Sequence, residues 1–217
     1  LASITKILVS LPLIIREIEL KSLTFDSSLS SFFPKINLFE KRNIKLKEML
    51  SHYSRLTPWI PFYKETLDSV TNMQLDSYYS NKKTSDFNIE VREGLYMQLW
   101  DDIIFDKIIE SDLLELKEYK YSDIPYYLLK KYLEEKYGET LNKLIHDYIF
   151  SKNGMLSLNF NPHKTFDQNK IVPSEIDDYF RQGELRGYVH DMGAAMQGGI
   201  GGHAGLFGNS LDVAKMM

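Results

Sequence analysis

Leu1-Ala2-Ser3-Ile4-Thr5-Lys6-Ile7-Leu8-Val9-Ser10-Leu11-Pro12-Leu13-Ile14-Ile15 opens the chain, and the conformation of this stretch decides the fold. Apolar residues at Ile7, Leu8, Leu11, Ile14, Ile15 and Ile18 recur at helical spacing, which predicts a largely buried helix over residues 4–20. Ser3 and Lys6 stand three positions apart, so on a helix they share a face within contact reach. A serine hydroxyl is a weak nucleophile until a base takes its proton, and a lysine whose ammonium form is disfavoured by burial can be that base. The competing reading makes Ser3 a helix cap and nothing more. The apolar helix behind the pair favours chemistry, because it draws Lys6 into a low-dielectric setting.

Composition narrows the rest. With 217 residues, 43% hydrophobic and 26% charged, the chain is long and apolar enough to fold around a sizeable core. Lys plus Arg number 26 against 30 Asp plus Glu, a net charge of −4, so no basic excess favours a nucleic acid. Cysteine is absent, which excludes disulfides, zinc–thiolate sites and a cysteine nucleophile, and leaves the redox compartment open. The apolar run from Ile7 to Ile15 is broken by Ser10 and Pro12 and is far short of the ~20 residues of a membrane helix. It lacks the flanks of a signal peptide. A start at Leu1 and a stop inside a helical pattern at Met217 read as a fragment or a processed piece.

Further along, residues 24–37 are Ser-rich and read as a loop around a short helical turn, followed by helical spacing over 44–53. Pro58 and Pro61 impose an irregular aromatic stretch, with a helix starting near Tyr63. Residues 79–88 are polar and read as exposed, and 89–99 fit a strand or a helix equally. A short helix over 103–109 precedes a helical pair, 124–137 and 141–150, broken at Gly138. Residues 151–190 read as loops, 193–208 as glycine-rich, and 210–217 as the start of a helix. No repeat or linker divides the chain.

Tyr121-Ser122-Asp123 lies just before the 124–137 helix. Ser122 or Asp123 can be its N-cap and Tyr121 a packing residue. Alternatively, a tyrosine hydroxyl beside a lysine ammonium ionises more readily and passes protons, if Tyr121 meets Ser3 in space. Gly199-Ile200-Gly201-Gly202-His203-Ala204 fits a dinucleotide fingerprint in letters, but no β-branched strand precedes it, so a tight turn is the better reading. His190, Asp191 and His203 match no zinc spacing, and His190–Asp191 reads as a hydrogen-bonded pair ordering the glycine-rich loop. His52 and His146 read as structural, Trp59, Phe62 and Tyr63 as pocket lining or core pins, and the run 130–137 (KKYLEEKY) as a solvated helix face.

Five segments taken in order, LASITK, IKLKEMLSHYSRLTPW, YKYSDIPYYLLKKYLEEKYGETL, FRQGELRGYVHDMGAAMQGG and GGHAGLFGNSLDVAKMM, resemble the serine β-lactamase and penicillin-binding-protein superfamily. Within it they are most similar to the class C-like branch of esterases, D-aminopeptidases and β-lactamases, and to modules fused behind family 3 glycoside hydrolases. The resemblance implies an α+β, β-lactamase/transpeptidase-like fold. Residues 1–217 would be a partial domain, its helix-dominated central portion, lacking most of the antiparallel sheet and inactive and poorly stable by itself. It also implies an acyl-enzyme on Ser3, with Lys6 and Tyr121 moving its proton and the Ser3 N–H as one oxyanion donor.

Asp123, His203 and Gly205 would support the site. Asp123 stands where the family commonly has asparagine, and Arg55 stands in the place of a glycine, which is expected to alter that turn. The third motif of the family is expected after Met217. The implied substrate is a small ester, amide or β-lactam, with no metal or organic cofactor, in the periplasm or outside the cell. The alternative is a catalytically silent peptidoglycan- or glycan-binding module.

Overall fold

The computed structural model describes residues 1–34 and 37–217, so Lys35 and Ile36 of the Ser-rich segment lie outside the described residues. The fold is α+β. Its helices are α1 (Leu11–Glu19), α2 (Leu29–Phe32), α3 (Leu46–Leu50), α4 (Asp101–Glu110), α5 (Ile124–Tyr137), α6 (Leu141–Ile145), α7 (Met192–Met196) and α8 (Ser210–Met216). The strands are short: β1 (Tyr79–Ser80), β2 (Ile89–Arg92), β3 (Leu95–Met97), β4 (Asn159–Phe160), β5 (Pro173–Asp177), β6 (Gly183–Arg186) and β7 (Leu206–Phe207). They form three antiparallel sheets among the described residues, ordered β1-β3-β2, β4-β7 and β5-β6. The ambiguous 89–99 stretch is therefore a hairpin, and the 44–53 helix is a single turn and a half.

α5 is the central post. Ile124, Tyr127, Leu128, Leu129 and Leu133 are buried around most of its circumference, and it packs on α4, α6 and the turn preceding α1. Gly138 ends it at φ 65°, where its N–H reaches Glu134 O at 2.8 Å. The run 130–137 is a solvated face only in part: Glu135 and Lys136 are exposed, whereas Lys130 is buried between Asp101 Oδ1 at 2.7 Å and Glu134 Oε2 at 3.3 Å. Lys136 and the Tyr137 hydroxyl both bond the buried Glu17 of α1. Charges that count as polar in a periodicity became internal because partners on α1 and α4 neutralise them.

The helix carrying Ser3 and Lys6 opens with a wide π turn, Lys6–Ser10, closed by Leu11 N–H on Lys6 O, before α1 proper. Leu8, Val9, Leu13 and Ile14 fill the core, whereas Ile7 and Ile15 remain 50% and 43% exposed. The second row, with Leu11 and Pro12, instead lines an open hollow beside Tyr148, Ile149 and Met216. The expected broad burial thus holds for one face of the helix.

The 151–190 segment contains more order than its polarity suggests. At the β5–β6 hairpin, Arg181 is fully buried: its Nε donates to Asp177 Oδ2 at 2.7 Å, and its two terminal nitrogens donate to the carbonyls of Val189 and His190 at 2.6 Å each. One guanidinium fork therefore fixes the backbone that leads into α7.

The glycine-rich loop docks on this frame through Gly202, whose carbonyl accepts from Ser10 Oγ at 2.6 Å. A Cβ at Gly202 would collide with the backbone oxygen of Tyr126 and crowd Ser10 Oγ at 3.1 Å, so only glycine permits the approach. Gly202→Ala is expected to lower the unfolding free energy by roughly 1–3 kcal/mol in urea titrations. Gly154→Ala, at φ 63° but with open space around its Cβ, should cost only the left-handed strain of about 1 kcal/mol.

Candidate active site

Ser3 lies one residue after Ala2, which holds φ 44°, so the chain turns sharply into the helix and presents Ser3 at the surface. Lys6, one turn on, is only 4% exposed. Its Nζ donates to Ser3 Oγ at 2.8 Å and to Tyr121 Oη at 2.7 Å, and pairs with Asp123 Oδ1 at 2.6 Å. Two of its N–H groups thus have hydroxyl acceptors, and the Asp123 carboxylate stands beside the same nitrogen as an ion-pair partner. Residues 115 positions apart in sequence therefore meet at one nitrogen.

Local structure explains why 121–123 arrives there. Ser122 Oγ donates to Thr57 O at 2.6 Å and accepts from Ile124 N–H at 3.2 Å, which holds the turn leading into α5. Asp123 N–H bonds Pro58 O at 3.0 Å. The loop before Pro58 and Pro61 is thus the clamp that holds the second motif, with Phe62 and Tyr63 buried beneath it against Tyr127 and Phe180. Trp59 is more exposed, so this aromatic cluster is chiefly a core pin. Arg55 adopts φ 62°, in the left-handed region that favours glycine, and its Nε donates to Leu114 O at 2.5 Å while Leu114 N–H bonds Arg55 O. The strain of about 1–2 kcal/mol is offset by these bonds.

Ser3 stands between two hollows. One, of about 440 Å³, is lined by Ser3, Asp123, His190, Asp191, His203 and Gly205. The other, of about 420 Å³, lies on the far side of Lys6 and Tyr121 and is bounded by Ile4, Leu50, His52 and Tyr126. His52 is the residue whose position the sequence concealed, since its helical pattern suggested a structural role away from the site. Gly205, at φ 114°, lets the loop pass Phe160 and Gly199 O.

Asp191 pairs with His203 and not with His190. His203 Nε2 lies 2.8 Å from Asp191 Oδ1, its ring stacked on Tyr127, and Asp191 also caps α7 through Ala194 N–H at 2.7 Å. His190 instead meets Glu175 Oε2 at 3.0 Å and Tyr179 Oη at 3.2 Å. The three residues hence form two separate pairs, and among the described residues no cluster of three His, Asp or Glu side chains is arranged for a metal. The glycines 199–202 follow α7 and not a strand, which removes the dinucleotide reading.

No family model matches the chain. A stretch of 109 residues, 45% of the chain, is 34% identical to "Putative D-alanyl-D-alanine carboxypeptidase" of Escherichia coli K12, and 31% identical to the protein of the same name in Salmonella agona. The match covers a quarter of the length of either relative.

Among solved structures, 99% of the chain superposes on 54% of the D-amino acid amidase of Ochrobactrum anthropi SV3, with a TM-score of 0.62 at 14% identity. It superposes equally on 43% of the penicillin-binding protein homologue of Pyrococcus abyssi, with a TM-score of 0.61 at 19% identity. The fold is therefore that of the β-lactamase and transpeptidase group, and the chain spans about half of such a domain as those structures present it.

Two outcomes test this geometry. Asp123→Ala removes the ion-pair partner of a buried amine and is expected to cost roughly 1.5–3 kcal/mol of stability, with Asp123→Asn losing less because its amide oxygen still faces the amine. The second concerns acid. Burial alone would raise the Asp191 pKa, but the charge and hydrogen bond of His203, with the Ala194 N–H, outweigh it and hold Asp191 at about 2, below the ordinary 3.8. A carboxyl depressed in the folded state stabilises above its unfolded value and loses that contribution as pH falls from 3.8 toward 2. Unfolding free energies measured between pH 5 and pH 2 should therefore drop by about 2 kcal/mol through this group. Asp191→Asn should remove that part of the fall.

Proposed function

We propose that this chain carries the nucleophile and proton-transfer groups of a serine hydrolase acting on an ester, amide or β-lactam carbonyl. The observation that carries the reading is the continuous contact from Ser3 Oγ through Lys6 Nζ to Tyr121 Oη, 2.8 and 2.7 Å long, at the edge of a cleft. In the neutral-amine form Lys6 accepts the Ser3 proton as Oγ attacks the carbonyl carbon, and Tyr121 passes a proton on to the leaving group. The Ser3 N–H sits in the first turn of the helix, where backbone donors lack helical acceptors, and serves as one donor to the developing oxyanion. Water then attacks the acyl-serine and the proton path runs in reverse.

The fold shared with an amidase, and the sequence similarity to proteins named as carboxypeptidases, support this chemistry. A role in cell-wall or glycan processing at the cell envelope, behind a family 3 glycoside hydrolase, belongs to the same proposal and rests on the motif resemblance. The second reading, a silent binding module, draws on the Lys6–Asp123 ion pair, which sets a carboxylate against the proposed base.

The decisive experiment treats the full-length protein with a fluorescent β-lactam and with a fluorophosphonate. A label mapped to Ser3, and ester or amide hydrolysis reduced roughly ten-thousand-fold by Ser3→Ala, are expected. Labelling that survives Ser3→Ala would exclude Ser3 as the nucleophile. Peptidoglycan-fragment binding with no labelling would select the silent module.

A further inference from the structure

We infer that His52 is a positioning residue that locks Tyr121 against Lys6, and that it does so only as the neutral imidazole. The inference rests on the proton-transfer role proposed for Tyr121. His52 touches the second motif at three consecutive residues. Its carbonyl accepts from Lys120 N–H at 2.9 Å, its ring lies 4.5 Å from the Tyr121 ring, and its Nδ1 accepts from Ser122 N–H at 3.2 Å. Two backbone bonds thus bracket Tyr121 while the ring covers its face. Among the described residues, His52 combines a side-chain bond to the backbone at Ser122 with a tilted ring contact, at 37°, on Tyr121 itself.

The backbone of His52 is itself shaped for this role. α3 ends at Leu50, and His52 takes φ 63°, a left-handed conformation that a histidine adopts at a cost. The reversal turns the imidazole back toward the hollow shared by Ser3, Lys6 and Tyr121. A residue serving only to end α3 would gain from being glycine or asparagine. The ring is kept here despite the strain, in contact with Tyr119, Tyr121 and Tyr126.

The charge requirement comes from the bond. For Nδ1 to accept from Ser122, the proton of the neutral ring must sit on Nε2. Protonating Nδ1 would set an N–H against an N–H and add a second cation beside Lys6. The charged groups facing the ring are Lys6, which opposes its protonation, and Asp123, which favours it; the other titratable groups around it are Tyr119, Tyr121 and Tyr126. Burial first and Lys6 second hold the His52 pKa below 6.5 against Asp123, and the Ser122 N–H, donated to a lone pair that only the neutral ring has, favours the same neutral form. The clamp is therefore intact at neutral pH and is released in acid.

The test uses the full-length protein and the rate constants for Ser3 acylation by a fluorophosphonate from pH 4 to pH 9, with saturation separating the maximal rate from the apparent affinity. His52→Phe keeps a ring over Tyr121 and loses the acceptor. It should lower the maximal rate at pH 7.5 at least tenfold with affinity within about threefold. His52→Asn tolerates the left-handed conformation and places Oδ1 where Nδ1 was, but cannot titrate. It should recover to within about threefold of wild type, and its rate should fall less steeply below pH 6.

His52→Asn is expected to fold whatever the fate of His52→Phe, so its acid limb alone decides. An acid limb identical to wild type, or a folded His52→Phe as fast as wild type at pH 7.5, overturns the inference while leaving Ser3 as nucleophile. If wild type shows no labelling at Ser3, the hydrolase reading falls and this inference falls with it.

Discussion

Everything around the candidate site depends on one buried amine. Lys6 sits in a setting where an unpaired ammonium would be prohibitive, and three oxygens satisfy it: Ser3 one helical turn back, and Tyr121 and Asp123 from the start of α5. Two segments remote in sequence must therefore be held to within tenths of an ångström. The 57–58 loop bonds Ser122 and Asp123 from one side, and the glycine-rich loop bonds Ser10 from the other. Their polar contacts are the scaffold of Lys6 more than independent contributors to stability.

The departures from the familiar motif pattern look different once placed in space. Arg55 takes up a left-handed conformation that favours glycine, and its side chain anchors that turn to Leu114. Asp123 bears on the site directly. Its carboxylate is aimed at Lys6, so the exchange of a neutral amide for an anion is felt at the group proposed to move the proton. The two readings of function divide on that contact.

Away from Lys6, the cleft is shaped by internal charge pairs whose members the sequence keeps apart. His203 and Asp191 tie the glycine-rich loop to the start of α7, and Arg181 with Asp177 fixes the backbone at Val189 and His190. His190 and His203 line the same hollow as Ser3 and Asp123. Such low-dielectric pairs are weak contributors to net stability but strict about geometry, which suits a wall that must keep its shape.

The sequence by itself determined what depends on neighbours in the chain. The helix 124–137 with its glycine stop and the helix beginning at Ser210 arise from periodicity and caps and fall where those signals place them. The Ser3–Lys6 contact comes from helical spacing alone. Tertiary structure decided the rest. Whether Lys130 is buried or solvated, and which histidine Asp191 holds, depend on residues 29 and 12 positions away. His52 shows the reason most plainly. Nothing in its local pattern distinguishes it, and its place beside Tyr121 comes from a left-handed turn and a bond to Ser122, 70 residues on. Local periodicity reports which face of an element is apolar, whereas the partner that satisfies a buried polar group is chosen only when distant segments pack together.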